Sequence, residues 1–196
     1  MATIVFLEGP NGCGKDYFLE GLITLLEKDK VNYFTLEAKR YLPDNIINNR
    51  YNKLLIDENK LQLFYYSHIR LLEDINILSN HFDLILVNRS IISFLIYNLY
   101  FSDIDDEEKK YYEKKIVQLI DYHLKDKKTI LVNLIKDLTI ENLKNRLEFR
   151  DNRLVRIDYL SQINYYYNNL EEPFKKAFSF YLELASNEST RLYHTL

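Results

Sequence analysis

Short apolar runs alternate with longer segments of mixed polarity along the chain. The short runs are rich in β-branched and aromatic residues and predict five strands, at residues 3–8, 31–38, 82–87, 129–134 and 178–184. In the longer segments apolar residues recur at helical spacing. They predict helices at residues 17–26, 61–78, 91–100, 107–124 and 140–170, the last with a charged interruption at 150–156. This alternation is typical of an α/β fold with a mostly parallel sheet.

Composition and charge narrow the class of protein. A chain of 196 residues with 47% hydrophobic residues is long enough for one well-buried core and too apolar to be intrinsically disordered. The net charge of −3 gives no overall attraction to nucleic acid or to an anionic membrane, so neither is expected as a partner. Cys13 is the only cysteine, which excludes a disulfide framework. Without a recognisable leader or membrane span, the expectation is a single cytoplasmic domain over residues 1–196.

Glycine is concentrated in one place. Three of the four glycines lie within six residues, in a loop between the first predicted strand and the first predicted helix. The segment matches G-x-x-x-x-G-K, the Walker A pattern, in which backbone N–H groups and a lysine bind the phosphates of a nucleotide. The alternative is a glycine-rich turn without a ligand. We expect ATP to be bound by Gly9, Pro10, Asn11, Gly12, Cys13, Gly14, Lys15 and Asp16.

Asp16 departs from this pattern, which has Ser or Thr after the lysine to help bind Mg²⁺. A carboxylate beside the phosphates would repel them unless a cation lay between. Asp16 is therefore predicted either to bind Mg²⁺ directly or to point away as an acidic residue at the start of a helix.

A second cluster of charge lies in the last predicted helical segment. Arg146, Arg150 and Arg153 are spaced i, i+4 and i+7, which places them on one helix face. Guanidinium groups there would neutralise the charge of a transferred phosphoryl group if the segment closed over it. The alternative is a solvated basic face.

Several segments together resemble the thymidylate kinase and deoxynucleoside kinase superfamily, over most of the chain. Residues 6–15 resemble the opening strand and loop of thymidylate kinases, and residues 63–75 resemble the helix that brings an aromatic residue and an arginine to the acceptor base. Residues 88–91 and 98–100 resemble the acid-Arg-Ser motif of deoxynucleoside kinases and the helix after it. The resemblance implies a three-layer α/β/α P-loop kinase fold, a helical lid at about residues 146–157 and a possible homodimer.

The resemblance also implies a site for the phosphate acceptor. Tyr66 would stack on the base, and Arg70, or His68 in a gapless match, would take the place of the family arginine. Arg89 would contact the acceptor phosphate or 5′-oxygen. Glu37 would lie near the acceptor's sugar and act as general base if the acceptor were a nucleoside.

Asn88 stands where P-loop kinases usually carry an acid next to the arginine. Because Asp16 is an unexpected acid and Asn88 an unexpected amide, we hypothesise that the carboxylate of the Mg²⁺ site has been exchanged between these two positions. The sequence thus predicts Mg²⁺- and ATP-dependent phosphoryl transfer to a deoxynucleoside monophosphate, as from dTMP to dTDP. The alternatives are a deoxynucleoside kinase and a nucleotide-binding protein with impaired catalysis.

Overall fold

A parallel sheet of five strands forms the centre of the molecule. The computed structural model describes residues 2–41, 58–151 and 157–196. The strands are β1 (Thr3–Glu8), β2 (Tyr33–Glu37), β3 (Leu84–Asn88), β4 (Lys128–Asn133) and β5 (Phe180–Glu183). Their spatial order is β2-β3-β1-β4-β5, and every neighbouring pair is parallel. The first strand of the chain therefore lies at the middle of the sheet.

The central strands are nearly continuous apolar runs because both faces of the sheet are covered. In β1, Ile4 and Phe6 point into one hydrophobic core, whereas Val5 and Leu7 point into the other. All four side chains are essentially inaccessible to solvent. Burial of each contributes about 1.5–3 kcal/mol, so β1 anchors both cores.

Helices cover the two faces of the sheet. The α-helices are α1 (Lys15–Lys28), α2 (Glu58–Leu78), α3 (Ile91–Phe94), α4 (Asp106–Leu124), α5 (Ile140–Asp151), α6 (Ile157–Asn168), α7 (Glu172–Lys176) and α8 (Ser189–Tyr193). A 3₁₀ turn (Ala38–Tyr41) follows β2, and a π-helical turn (Leu95–Leu99) continues α3. Helices α1, α5 and α8 pack on one face, and α2, α3, α4 and α7 on the other. Leu160 and Ile163 of α6 reach the two cores separately, and the result is a three-layer α/β/α sandwich.

The predicted α/β fold with a parallel five-stranded sheet is confirmed. The predicted helix at residues 91–100 is interrupted by the π-helical turn, and the one at residues 140–170 is two helices, α5 and α6. Residues 152–156 of the predicted lid lie outside the described residues. Helices α7 and α8 were not predicted, because five residues are too few to establish a helical period.

None of the helices within the described ranges has the length and apolar character needed to cross a lipid bilayer. The long helices α2 and α4 instead alternate buried and exposed positions, as helices do that pack on a sheet.

One edge of the sheet is chemically distinctive. Each of the five strands ends in Glu or Asn. The register pairs Glu37 with Asn88, and it pairs Asn133 with both Glu8 and Glu183, whereas Asn88 lies opposite Leu7, one residue before Glu8. In order across the sheet they are Glu37, Asn88, Glu8, Asn133 and Glu183. The carboxyl ends of parallel strands are where open α/β sheets place ligands, and the glycine loop begins there.

Candidate functional site

The glycine loop, residues 9–14, joins β1 to α1 through three left-handed backbone positions. Gly9, Gly12 and Gly14 have φ of 139°, 82° and 93°. At Gly14 a Cβ atom would also lie 2.7 Å from the Cβ of Ser186, so that only glycine fits. The first backbone hydrogen bond of α1 runs from Phe18 N to Gly14 O, which leaves the preceding N–H groups at the helix N-terminus free of helical acceptors. Unpaired N–H groups at a helix N-terminus favour an anion, whereas Cys13 N and Asn11 N of the loop already donate to Pro10 O and to the Tyr97 hydroxyl.

Lys15 lies folded beneath this loop. Its Nζ donates to Gly9 O at 2.8 Å and to Pro10 O at 3.0 Å, and lies 3.4 Å from Cys13 Sγ. The side chain is buried. Burial, and then the charge of Arg89, lower the pKa of Lys15 from 10.5 to about 8. No carboxylate forms an ion pair with this lysine within the described residues; the loop carbonyls, Cys13 and the more distant charge of Glu8 only partly offset the cost of burying it.

Arg89 approaches the loop from the adjacent strand β3. Its backbone lies in the left-handed region with φ 73°, and its N–H donates to Leu7 O at 3.0 Å. The guanidinium donates to Asn11 Oδ1 and to Ser93 Oγ and lies 4.8 Å from the centroid of the Tyr97 ring. Asn11 N in turn donates to the Tyr97 hydroxyl at 2.9 Å. The predicted acceptor arginine and the glycine loop are therefore in direct contact.

Arg146 reaches the same loop from α5. Its Nη1 donates to Gly12 O at 3.2 Å, and Leu147, next along the helix, packs 3.1 Å from the position of a Cβ on Gly12. The side chain of Arg150 and all of Arg153 lie outside the description, so that their predicted roles stay predictions. Of the three arginines predicted to share a helix face, Arg146 is the one whose side chain is described, and it contacts the glycine loop.

Asp16 and Asn88 are in contact, as the exchange hypothesis requires. Asn88 Nδ2 donates to Asp16 Oδ1 at 3.3 Å, and Asn88 Oδ1 is inaccessible to solvent and has no hydrogen-bond partner. No group of three or more His, Cys, Asp or Glu side chains suited to a metal is found in the described ranges. A divalent cation here would have Asp16 and Asn88 as its protein ligands and phosphate or water oxygens as the others, and this set suits Mg²⁺. Asn88 faces Asp16 with its NH₂ group in this structure; the oxygen is unpartnered and would reach an ion shared with Asp16 once the amide turned over.

Glu37 ends β2 directly beside Asn88 in the strand register. Its carboxylate pairs with Lys39 Nζ at 2.9 Å and lies 3.8 Å from Arg40 Nε. This acidic residue therefore lies at the predicted edge, but the structure gives it basic neighbours of its own.

Tyr66 and Arg70 lie on the solvent-facing side of α2. Tyr66 is 63% exposed, and Arg70 pairs with Glu73 at 3.1 Å. His68 is buried on the opposite side and packs against the ring of Phe94. Neither Tyr66 nor Arg70 contacts the glycine loop in this structure, and their roles in binding an acceptor base stay predictions.

Glu8 is the residue at this edge that the sequence analysis did not identify. Its side chain is buried, with 1% of the residue exposed. Both carboxylate oxygens accept hydrogen bonds, and the donors are Ser90, Ser93 and Tyr167. A signal was present, because an acid at the end of an otherwise apolar strand is uncommon. Tyr97, which contacts both the loop and Arg89, carried no such signal among 17 tyrosines.

Comparison with known proteins adds no identification. No protein-family model matches the chain, and no curated protein matches it.

Proposed function

We propose that this protein transfers a phosphoryl group from ATP to a deoxynucleoside monophosphate, in the manner of a thymidylate kinase. The observation that carries this proposal is the convergence of three cations, Lys15, Arg89 and Arg146, on one glycine loop from three different elements. Burial, and then the charge of Arg89, lower the pKa of Lys15, and a bound polyanion would offset both effects. A nucleoside triphosphate supplies such a polyanion, and the unpaired N–H groups at the helix N-terminus suit its phosphates.

The roles of the cations follow from their chemistry. Lys15 would leave the loop carbonyls and bind the β- and γ-phosphates as a compact charge, and Arg89 would bind acceptor phosphate oxygens through its planar fork. Arg146 would offset the charge that spreads over the transferred group. Because a phosphate acceptor is already ionised, it needs no general base.

Asp16 and Asn88 would hold the Mg²⁺ that accompanies ATP. When bound, this ion would neutralise part of the phosphate charge. The chain's own contribution is to place one carboxylate and one amide oxygen where that charge is greatest.

A deoxynucleoside kinase is the second candidate, and the position of Glu37 favours it. The carboxylate lies beside Asn88 at the sheet edge and could accept the proton of a 5′-hydroxyl.

The decisive experiment incubates the protein with ATP, Mg²⁺ and a panel of deoxynucleosides and their monophosphates, and the products are resolved by chromatography. A diphosphate formed from one monophosphate is expected. A monophosphate formed from a nucleoside would shift the function to the second candidate. Binding of ATP without any product would leave a nucleotide-binding protein with impaired catalysis.

Affinity for ATP should depend on pH through Lys15. The free protein loses the Lys15 proton as pH rises through about 8, whereas the complex needs the charged form. We expect the Kd to rise about tenfold between pH 7 and pH 9, with uptake of close to one proton per ATP at pH 9. Calorimetry in two buffers of different ionisation enthalpy measures both quantities. A Kd that is constant over this range would contradict a phosphate-binding role for Lys15.

Arg146 offers a test with a matched control on the same helix. Arg146→Ala should lower kcat about 10- to 100-fold, because it removes a cation from the loop. Lys144 is a neighbouring cation that pairs with Glu148 at 3.7 Å, and Lys144→Ala should change kcat less than about twofold. Equal effects of the two substitutions would show that kcat depends on the total positive charge of this helix and not on the contact of Arg146 with the loop.

A further inference from the structure

Glu8 is buried at the centre of the sheet edge and is bound only by hydrogen-bond donors. Oε1 accepts from Ser90 N at 2.5 Å and from Ser90 Oγ at 2.7 Å, and Oε2 accepts from Ser93 Oγ at 2.7 Å and from the Tyr167 hydroxyl at 2.9 Å. Four hydrogen bonds satisfy a carboxylate. Among the described residues no cation forms an ion pair with it. The charges of Lys15 and Arg89 act on it at longer range, and its four donors fix its position.

Three of the four donors belong to the turn that carries Arg89. This turn has a left-handed arginine, a conformation that L-residues with side chains adopt only where the surroundings enforce it. The bonds from Ser90 N and Ser90 Oγ fix the backbone on the C-terminal side of Arg89, and Arg89 N bonds to Leu7 O on the other side. The backbone of Arg89 is thus held between two consecutive residues of β1.

Ser93 connects the Glu8 carboxylate to the guanidinium group of Arg89. Its hydroxyl donates to Glu8 Oε2 and accepts from Arg89 Nη1 at 3.2 Å. A guanidinium can only donate, so the direction of this contact is fixed by Arg89. The bond to Glu8 Oε2 instead fixes the rotation of the Ser93 hydroxyl, and thereby where its oxygen lone pairs face Arg89.

Tyr167 connects the same carboxylate to α6, the helix that follows the predicted lid. Burial and the Glu8 charge raise the pKa of Tyr167 well above its usual value, so the hydroxyl stays a donor. The strand that begins the phosphate loop, the arginine turn and the helix after the lid thus meet at one side chain.

We propose that Glu8 is a positioning residue, whose negative charge aims the Arg89 guanidinium at the phosphate loop through Ser90 and Ser93. The inference rests on the proposed function only for its kinetic consequence. A glutamine at position 8 would keep the shape and could still accept from Ser90 N. Its NH₂ group would then face the Ser93 hydroxyl, which would lose the acceptor for its proton and rotate, so that the oxygen lone pair used by Arg89 Nη1 would no longer be held in place.

The structural test uses ligand-free protein with ¹⁵N-labelled arginine, and Arg89→Lys assigns the Arg89 signals. In the natural sequence the Nη signals of Arg89 should be separate, because hydrogen bonds and the Tyr97 ring restrict rotation of the guanidinium. In Glu8→Gln and in Ser93→Ala they should merge. Thr129→Val is the matched control: it removes a buried hydroxyl that accepts from Ser179 N at 2.9 Å, far from Arg89, and it should leave the signals separate.

Separate Arg89 signals in a folded Glu8→Gln variant would overturn the proposal. If Glu8→Gln fails to fold, Ser93→Ala tests the link instead: it removes one donor of the carboxylate together with the contact to the guanidinium, and separate Arg89 signals in this variant would overturn the proposal.

The kinetic test follows once phosphoryl transfer is established. Glu8→Gln should lower kcat about 100-fold and change the KM for ATP less than about threefold, and combining it with Ser93→Ala should add little. Unchanged kcat in Glu8→Gln would overturn the positioning role even if the proposed function holds. If the natural protein transfers no phosphate, the proposed function fails, and the NMR experiment still decides whether Glu8 positions Arg89.

Discussion

Replacing Lys15 by methionine is expected to abolish phosphoryl transfer and to stabilise the ligand-free protein. Transfer should fall by at least about 1,000-fold, because the phosphates would lose the buried lysine that lies against the glycine loop. The free energy of unfolding at pH 7 should rise by about 1 to 3 kcal/mol. The upper value corresponds to lowering the pKa of a lysine from 10.5 to about 8, and the hydrogen bonds lost by Gly9 and Pro10 carbonyls reduce it.

The sign of this stability change gives a specific check. A lysine whose folded pKa is lowered destabilises the folded state fully below pH 8, and the penalty disappears as pH rises to 10.5. Urea denaturation at pH 7 and at pH 10 should therefore show a large advantage of Lys15→Met at the lower pH and a smaller one at the higher. Lys28→Met, at the exposed end of the same helix, should change neither stability nor activity. A destabilised Lys15→Met would mean that the lysine is needed for folding of the loop.

The second large effect is expected from the Asp16–Asn88 pair. Asp16→Ser should lower activity about 100-fold at limiting Mg²⁺, because it removes the only carboxylate of the proposed cation site. Asn88→Asp alone should place two carboxylates in contact and lower the Tm of the metal-free protein. Combining Asp16→Ser with Asn88→Asp should restore activity to within a few-fold of the natural protein, since the charge returns to the site from the other side.

Binding of Mn²⁺ in the presence of ADP, followed by electron paramagnetic resonance, measures the site independently of turnover. Affinity should be weakest in Asp16→Ser and recover in the double variant. A folded double variant that recovers neither Mn²⁺ affinity nor activity would sink the exchange hypothesis.

Most of the fold was predictable because each central strand is marked by the apolar composition of its own residues. A run such as residues 84–87 is buried on both faces, and its composition shows this without knowledge of its neighbours. The short helices α7 and α8 and the π-helical turn were not predictable, since tertiary packing rather than periodicity selects them. The segment from Leu95 to Leu99 has the same apolar pattern in either helical form.

The part of the candidate site that is formed by neighbouring residues in the sequence was predictable. The part that is formed by residues far apart in the sequence was less so. The glycine loop carries its own signature, and the contact of Asp16 with Asn88 followed from two substitutions that made sense only together. The roles of Tyr66 and Arg70 stay predictions, because both side chains lie on the solvent-facing side of α2 and make no contact that assigns them to a site. Glu8 depends on partners 82 to 159 residues away, a distance that no local pattern encodes.

Those separations have a consequence for how the protein is made. A chain is synthesised from its N-terminus, so β1 leaves the ribosome before the other four strands, yet it lies between β3 and β4 in the sheet. It has no neighbour until residues 84–88 follow and lacks its second neighbour until residues 128–133 follow. The Glu8 carboxylate gains its last donor only with Tyr167. The apolar strand β1 must therefore stay free of aggregation at least until residues 84–88 have been made, and the site around Glu8 is complete only when Tyr167 has been added.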